Sequence, residues 1–81
     1  MATRYVTLPA NQSWVLLSDQ ADWIAQALIG NAELHIGASA PGAGAAGHVL
    51  SPGQGLYSVV SGSVYGRSYS SAAAAKVAVS D

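Results

Sequence analysis

Turn-forming residues cut this chain into pieces of strand length. Pro9, Asn11-Gln12-Ser13, Ser18-Asp19, Gly30-Asn31, Ser51-Pro52-Gly53-Gln54-Gly55 and Ser61-Gly62 each close a short run rich in β-branched, aromatic or aliphatic residues. Turn signals recurring about every eight to twelve residues are the pattern of an antiparallel sandwich or small barrel. The runs alternate as half-buried strands do. Val6 and Leu8 share one face of the first, which Pro9 ends because it cannot donate to a ladder. Trp14 to Leu17 forms a second. Ala32 to Gly37 is the clearest, with Ala32, Leu34 and Ile36 on one side and Glu33 and His35 on the other.

Two segments carry helical composition. Trp23 to Ile29 contains Ala, Leu and Gln, and Asp19 or Asp22 could cap it, but Gly30-Asn31 stops it after a length at which isolated helices are marginal. It reads as a strand. Gly30-Asn31 fits a two-residue turn with positive φ, which predicts a hairpin with Ala32–Gly37. The alanine run before Lys76 is one turn long and reads as a turn or strand entry leading into a last strand with Val77 and Val79. His48 to Leu50, Leu56 to Val60 and Ser63 to Tyr69 complete the set, the last two joined at Ser61-Gly62. In the Ser63–Tyr69 run, Val64, Gly66 and Ser68 face one way and Tyr65, Arg67 and Tyr69 the other. Between Ala38 and Gly47 lie small residues without periodicity, a loop long enough to be a binding element.

The predicted fold is therefore a single all-β domain over residues 1–81, a small antiparallel β-sandwich or barrel of seven to eight short strands. Its expected core is Val6, Leu8, one of the pairs Trp14/Leu16 and Val15/Leu17, Ile24, Leu28, Leu34, Ile36, Val49, Leu56, Val64, Val77 and Val79. A chain of 81 residues buries only about 60% of its extended surface. A single core in a chain of roughly this size rarely yields more than about 3–5 kcal/mol of net stability. Without cysteine there are no disulfides or thiolate metal sites, and two histidines are too few for a structural metal centre. Oligomerisation is the remaining staple.

Charge points the same way. Charged residues make up 9% of the chain, with a formal net charge of −1, against about 25% charged residues in an average domain. The exposed surface must be largely Ser, Ala, Gly, Asn and Gln, which suits packing against other chains. Arg4, Arg67 and Lys76 are too few and scattered for a nucleic-acid partner. No basic amphipathic helix or unbroken apolar span suggests a membrane, and Met1 to Leu8 does not read as a secretory signal, so folding in a cytoplasm is expected.

Little in the sequence carries chemistry. Glu33 and His35 point the same way about 7 Å apart, and with His48 they could form a metal site or a general base of a small enzyme. The alternative is a surface or interface histidine beside a surface glutamate. Ser61 and Ser63 flank Gly62 in an ordinary turn, with no nucleophile elbow. Gly42–Gly47 lacks the lysine and helix of a phosphate loop and reads as a flexible arm. Hence no catalytic, cofactor or metal residues are assigned. Trp14 and Trp23 could stack on sugars, or one could be core and the other fill an interface pocket. Tyr65, Arg67 and Tyr69 read as contact residues or as a solvated sheet face. The interface candidates are Trp14, Trp23, Tyr65, Arg67 and Tyr69.

The progression Trp23-Ile24-Ala25-Gln26, Leu34-His35-Ile36-Gly37 and Ala40-Pro41, then His48-Val49-Leu50-Ser51-Pro52-Gly53-Gln54 and Gly62-Ser63-Val64-Tyr65-Gly66-Arg67, resembles small β-sandwich structural proteins of tailed phage virions. The resemblance runs from about Trp14 to Val79. It implies a capsid decoration (cement) protein or fibre anchor, commonly a homotrimer, located in the virion after assembly in the host cytoplasm. The implied partners are the major capsid protein or other virion proteins. No cofactor and no catalytic residue transfers. The charge-poor surface departs from many decoration proteins and keeps a tail or collar role open.

Overall fold

Eight strands form, and alternation places each one. The computed structural model describes residues 2–57 and 62–81. They are β1 (Thr3–Leu8), β2 (Val15–Ser18), β3 (Ile24–Ile29), β4 (Ala32–Gly37), β5 (His48–Leu50), β6 (Gly55–Tyr57), β7 (Ser63–Ser68) and β8 (Ala75–Ser80). No helix occurs among the described residues. Sheet A has the order β1-β8-β3-β6 and sheet B the order β2-β7-β4-β5, with every pairing antiparallel. The two sheets pack as a sandwich whose inner faces are Leu8, Leu17, Trp23, Ala25, Ala27, Ala32, Leu34, Leu50, Val64, Ala75, Val77 and Val79. Val6, Val15, Ile36 and Leu56 pack against this core from its margins.

The chain alternates between sheets more than the turn signals predict. Gly30-Asn31 does not close a hairpin: β3 lies in sheet A and β4 in sheet B. Gly30 has a φ of 69° and Asn31 is not in the positive-φ region, a combination that a two-residue hairpin turn also accepts, so the path is set by long-range packing and not by the turn. The segment is a corner that carries the chain across the core, and the Asn31 carbonyl accepts the Tyr69 N–H instead (3.0 Å). Likewise β6 and β7 lie in different sheets, so Ser61-Gly62 does not join paired strands. The stretch of the expected Leu56–Val60 strand beyond Tyr57, and Ser61, lie outside the described residues.

Two core assignments reverse and a third is only partly met. On β3 the inward residues are Trp23, Ala25 and Ala27, so Ile24 points out and is 49% exposed. Leu28 sits where the β3–β8 register slips and is only half-buried. On β5, Leu50 is buried and Val49 faces out. Of the two alternatives on β2, Val15/Leu17 is the inward pair. The small β3 side chains keep the sandwich thin, with principal extents of 32 × 25 × 15 Å. Gly66, in the middle of β7, makes the room on the other sheet. A Cβ there would lie 2.8 Å from Leu17 Cδ1, 3.1 Å from Leu34 Cδ2 and 3.3 Å from Leu8 Cδ1, so the three leucines occupy the volume a side chain would need.

Beyond β7 the chain turns through residues 70–74 without forming a helix. The buried Ser68 hydroxyl lies 2.6 Å from the Ala73 carbonyl and 2.9 Å from that of Ser70, which share its proton. This fixes the entry into β8 that the alanine run leaves open.

Candidate functional site

The two outer faces of the sandwich are built differently. On sheet B, register places Glu33 of β4 opposite Arg67 of β7, and His35 opposite Tyr65, which in turn faces Leu16 of β2. Glu33 and Arg67 are therefore a cross-strand charge pair. Arg67 Nε donates to Glu33 Oε1 at 2.7 Å. The two terminal nitrogens of Arg67 donate to the carbonyls of Ala43 (2.7 Å) and Ala45 (3.1 Å). The second Glu33 oxygen accepts the Gly47 N–H at 3.0 Å. His35 Nδ1 meets the Ala46 carbonyl at 3.0 Å, and since a carbonyl only accepts, that nitrogen carries the proton.

These bonds lay residues 42–47 across sheet B, so the reading of Gly42–Gly47 as a flexible arm is corrected: polar contacts pin Ala43, Ala45, Ala46 and Gly47. Gly47 is required at the last of them. A Cβ at this position would come within 2.6 Å of the Leu34 carbonyl oxygen and 2.9 Å of Glu33 Cγ. Trp14 closes the cluster. Its indole N–H donates to the Gly42 carbonyl (3.1 Å), the Arg67 guanidinium sits 4.3 Å from its ring centroid, and its ring meets that of His35 edge-on at 5.8 Å. A guanidinium over an indole face is a favourable cation–π geometry.

This cluster redistributes the interface candidates. Arg67, with only 14% of its side chain exposed, is a fastener inside the domain. Trp23 is 1% exposed and its indole N–H donates to the Gly62 carbonyl (3.2 Å), so it is a core residue and offers no contact surface. Trp14, bonded to the loop, and Tyr65, opposite His35, are half-buried, and Tyr69 is exposed just past β7. The metal constellation is not assembled. His48 lies opposite Leu34 in the β4–β5 ladder, on the inward parity, while Glu33 and His35 face out. No group of three potential metal ligands exists among the described residues.

Among the described residues, sheet A has no such cover. Its outward set is Thr3, Tyr5 and Thr7 on β1, Lys76, Ala78 and Ser80 on β8, Ile24, Gln26 and Ile29 on β3, and Gly55 and Tyr57 on β6, as the registers dictate. Tyr5 is 72% exposed, Tyr57 67%, Ile29 59% and Ile24 49%. Lys76 is the single charged residue in this set. Sequence reasoning misses this face because it turns Ile24 inward. The signal that could find it is Trp23, whose bulk sets the parity of β3.

At one end of the sandwich Arg4, Ser18 and Asp81 tie the sheets together. Arg4 donates to one Asp81 oxygen (2.6 Å) and to the Leu17 carbonyl, and the Ser18 hydroxyl donates to the other Asp81 oxygen (2.7 Å). The Arg4 bond, followed by that of Ser18, holds the Asp81 carboxyl below the ordinary carboxylate range. Two of the three basic side chains, Arg4 and Arg67, are thus paired within the domain. No helix among the described residues is long and apolar enough to cross a membrane.

No family model matches the chain, and neither the curated proteins nor the solved structures contain a significant match.

Proposed function

We propose that this chain is a non-enzymatic structural protein of a tailed-phage virion that docks on other virion proteins through the outer face of sheet A. The observation that carries the docking face is the contrast in cover: Tyr5, Ile24, Ile29 and Tyr57 stand exposed on a face whose one charged strand residue, Lys76, lies in the end row beside Thr7 and Ile29. Four large apolar or aromatic side chains on one nearly charge-free face are the composition of an interface core, where aromatic residues are enriched and charges depleted. The virion setting rests on the sequence resemblance alone. Within it, the preferred role is a capsid decoration protein that binds the shell as a homo-oligomer and clamps adjacent capsomers, with a tail, collar or fibre position as the alternative.

The polar groups that suggest chemistry are engaged inside the domain, Glu33 by Arg67 and Gly47, and His35 by Ala46. A sugar platform is poorly served, since Trp23 is buried and Trp14 has a guanidinium against its ring. The test is reconstitution. Wild-type protein added to particles lacking it should bind and raise their heat resistance, and Ile24→Asp should remain folded yet fail to bind. Wild-type protein that leaves such particles unchanged refutes the capsid role. An Ile24→Asp variant that binds as well as wild type refutes the face.

A further inference from the structure

Strands at the margins of the sandwich differ in how well they are closed against further pairing. β5 spans three residues, and β2 has four with a register slip at Leu16/Ser18. Short or bulged edges of this kind are how sheets avoid adding strands. β1 is different. It runs six residues, Thr-Arg-Tyr-Val-Thr-Leu, in unbroken register with β8 and with no proline, bulge or covering segment among the described residues.

Every second residue of β1 turns its backbone groups away from β8. Ala2 and Asp81 exchange both backbone hydrogen bonds at 3.1 Å. In an antiparallel ladder bonded and non-bonded pairs alternate, so Arg4, Val6 and Leu8 bond to β8 while the N–H and C=O groups of Thr3, Tyr5 and Thr7 point away from it. The same three residues carry the outward side chains. A second β1 strand can meet this edge antiparallel in one register that uses every free group: Thr3 against Thr7, Tyr5 against Tyr5, Thr7 against Thr3. A shift by one residue would set bonded positions against non-bonded ones and put outward side chains opposite inward ones. A shift by two in one direction would bring Pro9, which has no N–H, opposite Thr3. In the other direction it would leave Thr7 without a partner in the facing strand. In the fitting register Arg4 faces Val6, so no like charges oppose, and Arg4 is already neutralised by Asp81.

We infer that β1 is a self-pairing edge and that a second copy of this chain is its occupant, giving a two-fold dimer with its axis through Tyr5. The interface is isologous, with the same strand contributing from both copies. It joins two four-stranded sheets into one of eight, and the outer faces bearing Tyr5, Ile24 and Tyr57 become continuous across the axis. The symmetry is two-fold where the resemblance implies three-fold.

Light scattering over a concentration series, with amide hydrogen exchange on the same samples, tests this. The wild-type mass should reach that of two chains. Thr3, Tyr5 and Thr7 amides should become protected as the dimer forms, while Arg4 and Val6, bonded to β8 throughout, should stay protected at every concentration. Tyr5→Pro removes an N–H that β8 does not use, so the strand survives, and the mass should halve. A wild-type mass of one or three chains overturns the inference. So does a dimer in which those three amides exchange freely, or a folded Tyr5→Pro variant that still dimerises. If Tyr5→Pro does not fold, the wild-type exchange pattern decides. Ile24→Asp leaves β1 intact, so failure of the docking face and failure of this edge are distinguishable.

Discussion

The outer face of sheet B and the outer face of sheet A come from strands of similar length in one small sandwich, yet among the described residues only the first is covered. On sheet B a charge pair, an indole and an imidazole are laid under a segment of small side chains, 38–47, whose carbonyls take up the Arg67 donors. On sheet A comparably bulky residues, Tyr5, Ile24, Ile29 and Tyr57, stay in solvent. Polar groups on a sheet face can be satisfied by nearby backbone, and a loop poor in side chains can approach closely enough to do so. An apolar face offers such a loop nothing to bond, and under the proposed function another chain supplies its burial.

The comparison can be broken at several depths. The deepest is beneath both faces. Leu34→Ala removes a fully buried side chain that packs against Gly66, and a loss of about 2–5 kcal/mol is expected in urea unfolding; an unchanged melting temperature would refute its central position. Next, Arg67→Met strips the covered face of its fastener, leaving Glu33 and two loop carbonyls without their donor. For a pair that keeps some solvent contact the cost should be about 2–3 kcal/mol, below that of breaking a fully buried pair. Proteolysis should then cut first within 38–47. A variant as stable as wild type with an intact loop would show that the network does not hold it.

A smaller effect is expected from acid. The Asp81 carboxyl titrates below its unfolded value in the folded protein, so it adds stability at pH values above the ordinary carboxylate pKa of about 4. That contribution is lost as pH falls through the lowered native value. Wild type and Asp81→Asn should therefore differ in melting temperature near neutral pH and converge in strong acid; curves that stay parallel would remove Asp81 from the account. The smallest effect on stability belongs to the bare face. Ile24→Asp should change unfolding free energy by no more than about 0.5 kcal/mol, and a large loss would mean that Ile24 packs within the chain after all.

Much of this architecture is readable from alternation. β4 and β5 have the predicted bounds, and the parities of β1, β7 and β8 follow from Val6/Leu8, Val64/Gly66/Ser68 and Val77/Val79. What is not readable is long-range. Gly30-Asn31 signals a change of direction, and the same local chemistry serves a hairpin or a crossing to the opposite sheet. β3 offers two apolar sets, and its larger aliphatic loses the inward place to alanines because Trp23 takes the space. Arg67 reads as a contact residue because its partner is 34 positions away in sequence, and only the β4–β7 pairing brings Glu33 beside it. Tyr5 and Tyr57 stay unassigned in the sequence because exposure depends on what fails to cover them.

The mutual bonding of Ala2 with Asp81 at the open end of the β1–β8 ladder has a mechanical consequence. Tension applied between Ala2 and Asp81 would act across that ladder one rung at a time. Its bonds would then break in succession like a zipper, beginning at Ala2–Asp81 and moving to Arg4–Val79. Tethered by its ends the sandwich is compliant, whereas load entering broadside through a sheet is shared among all the rungs at once.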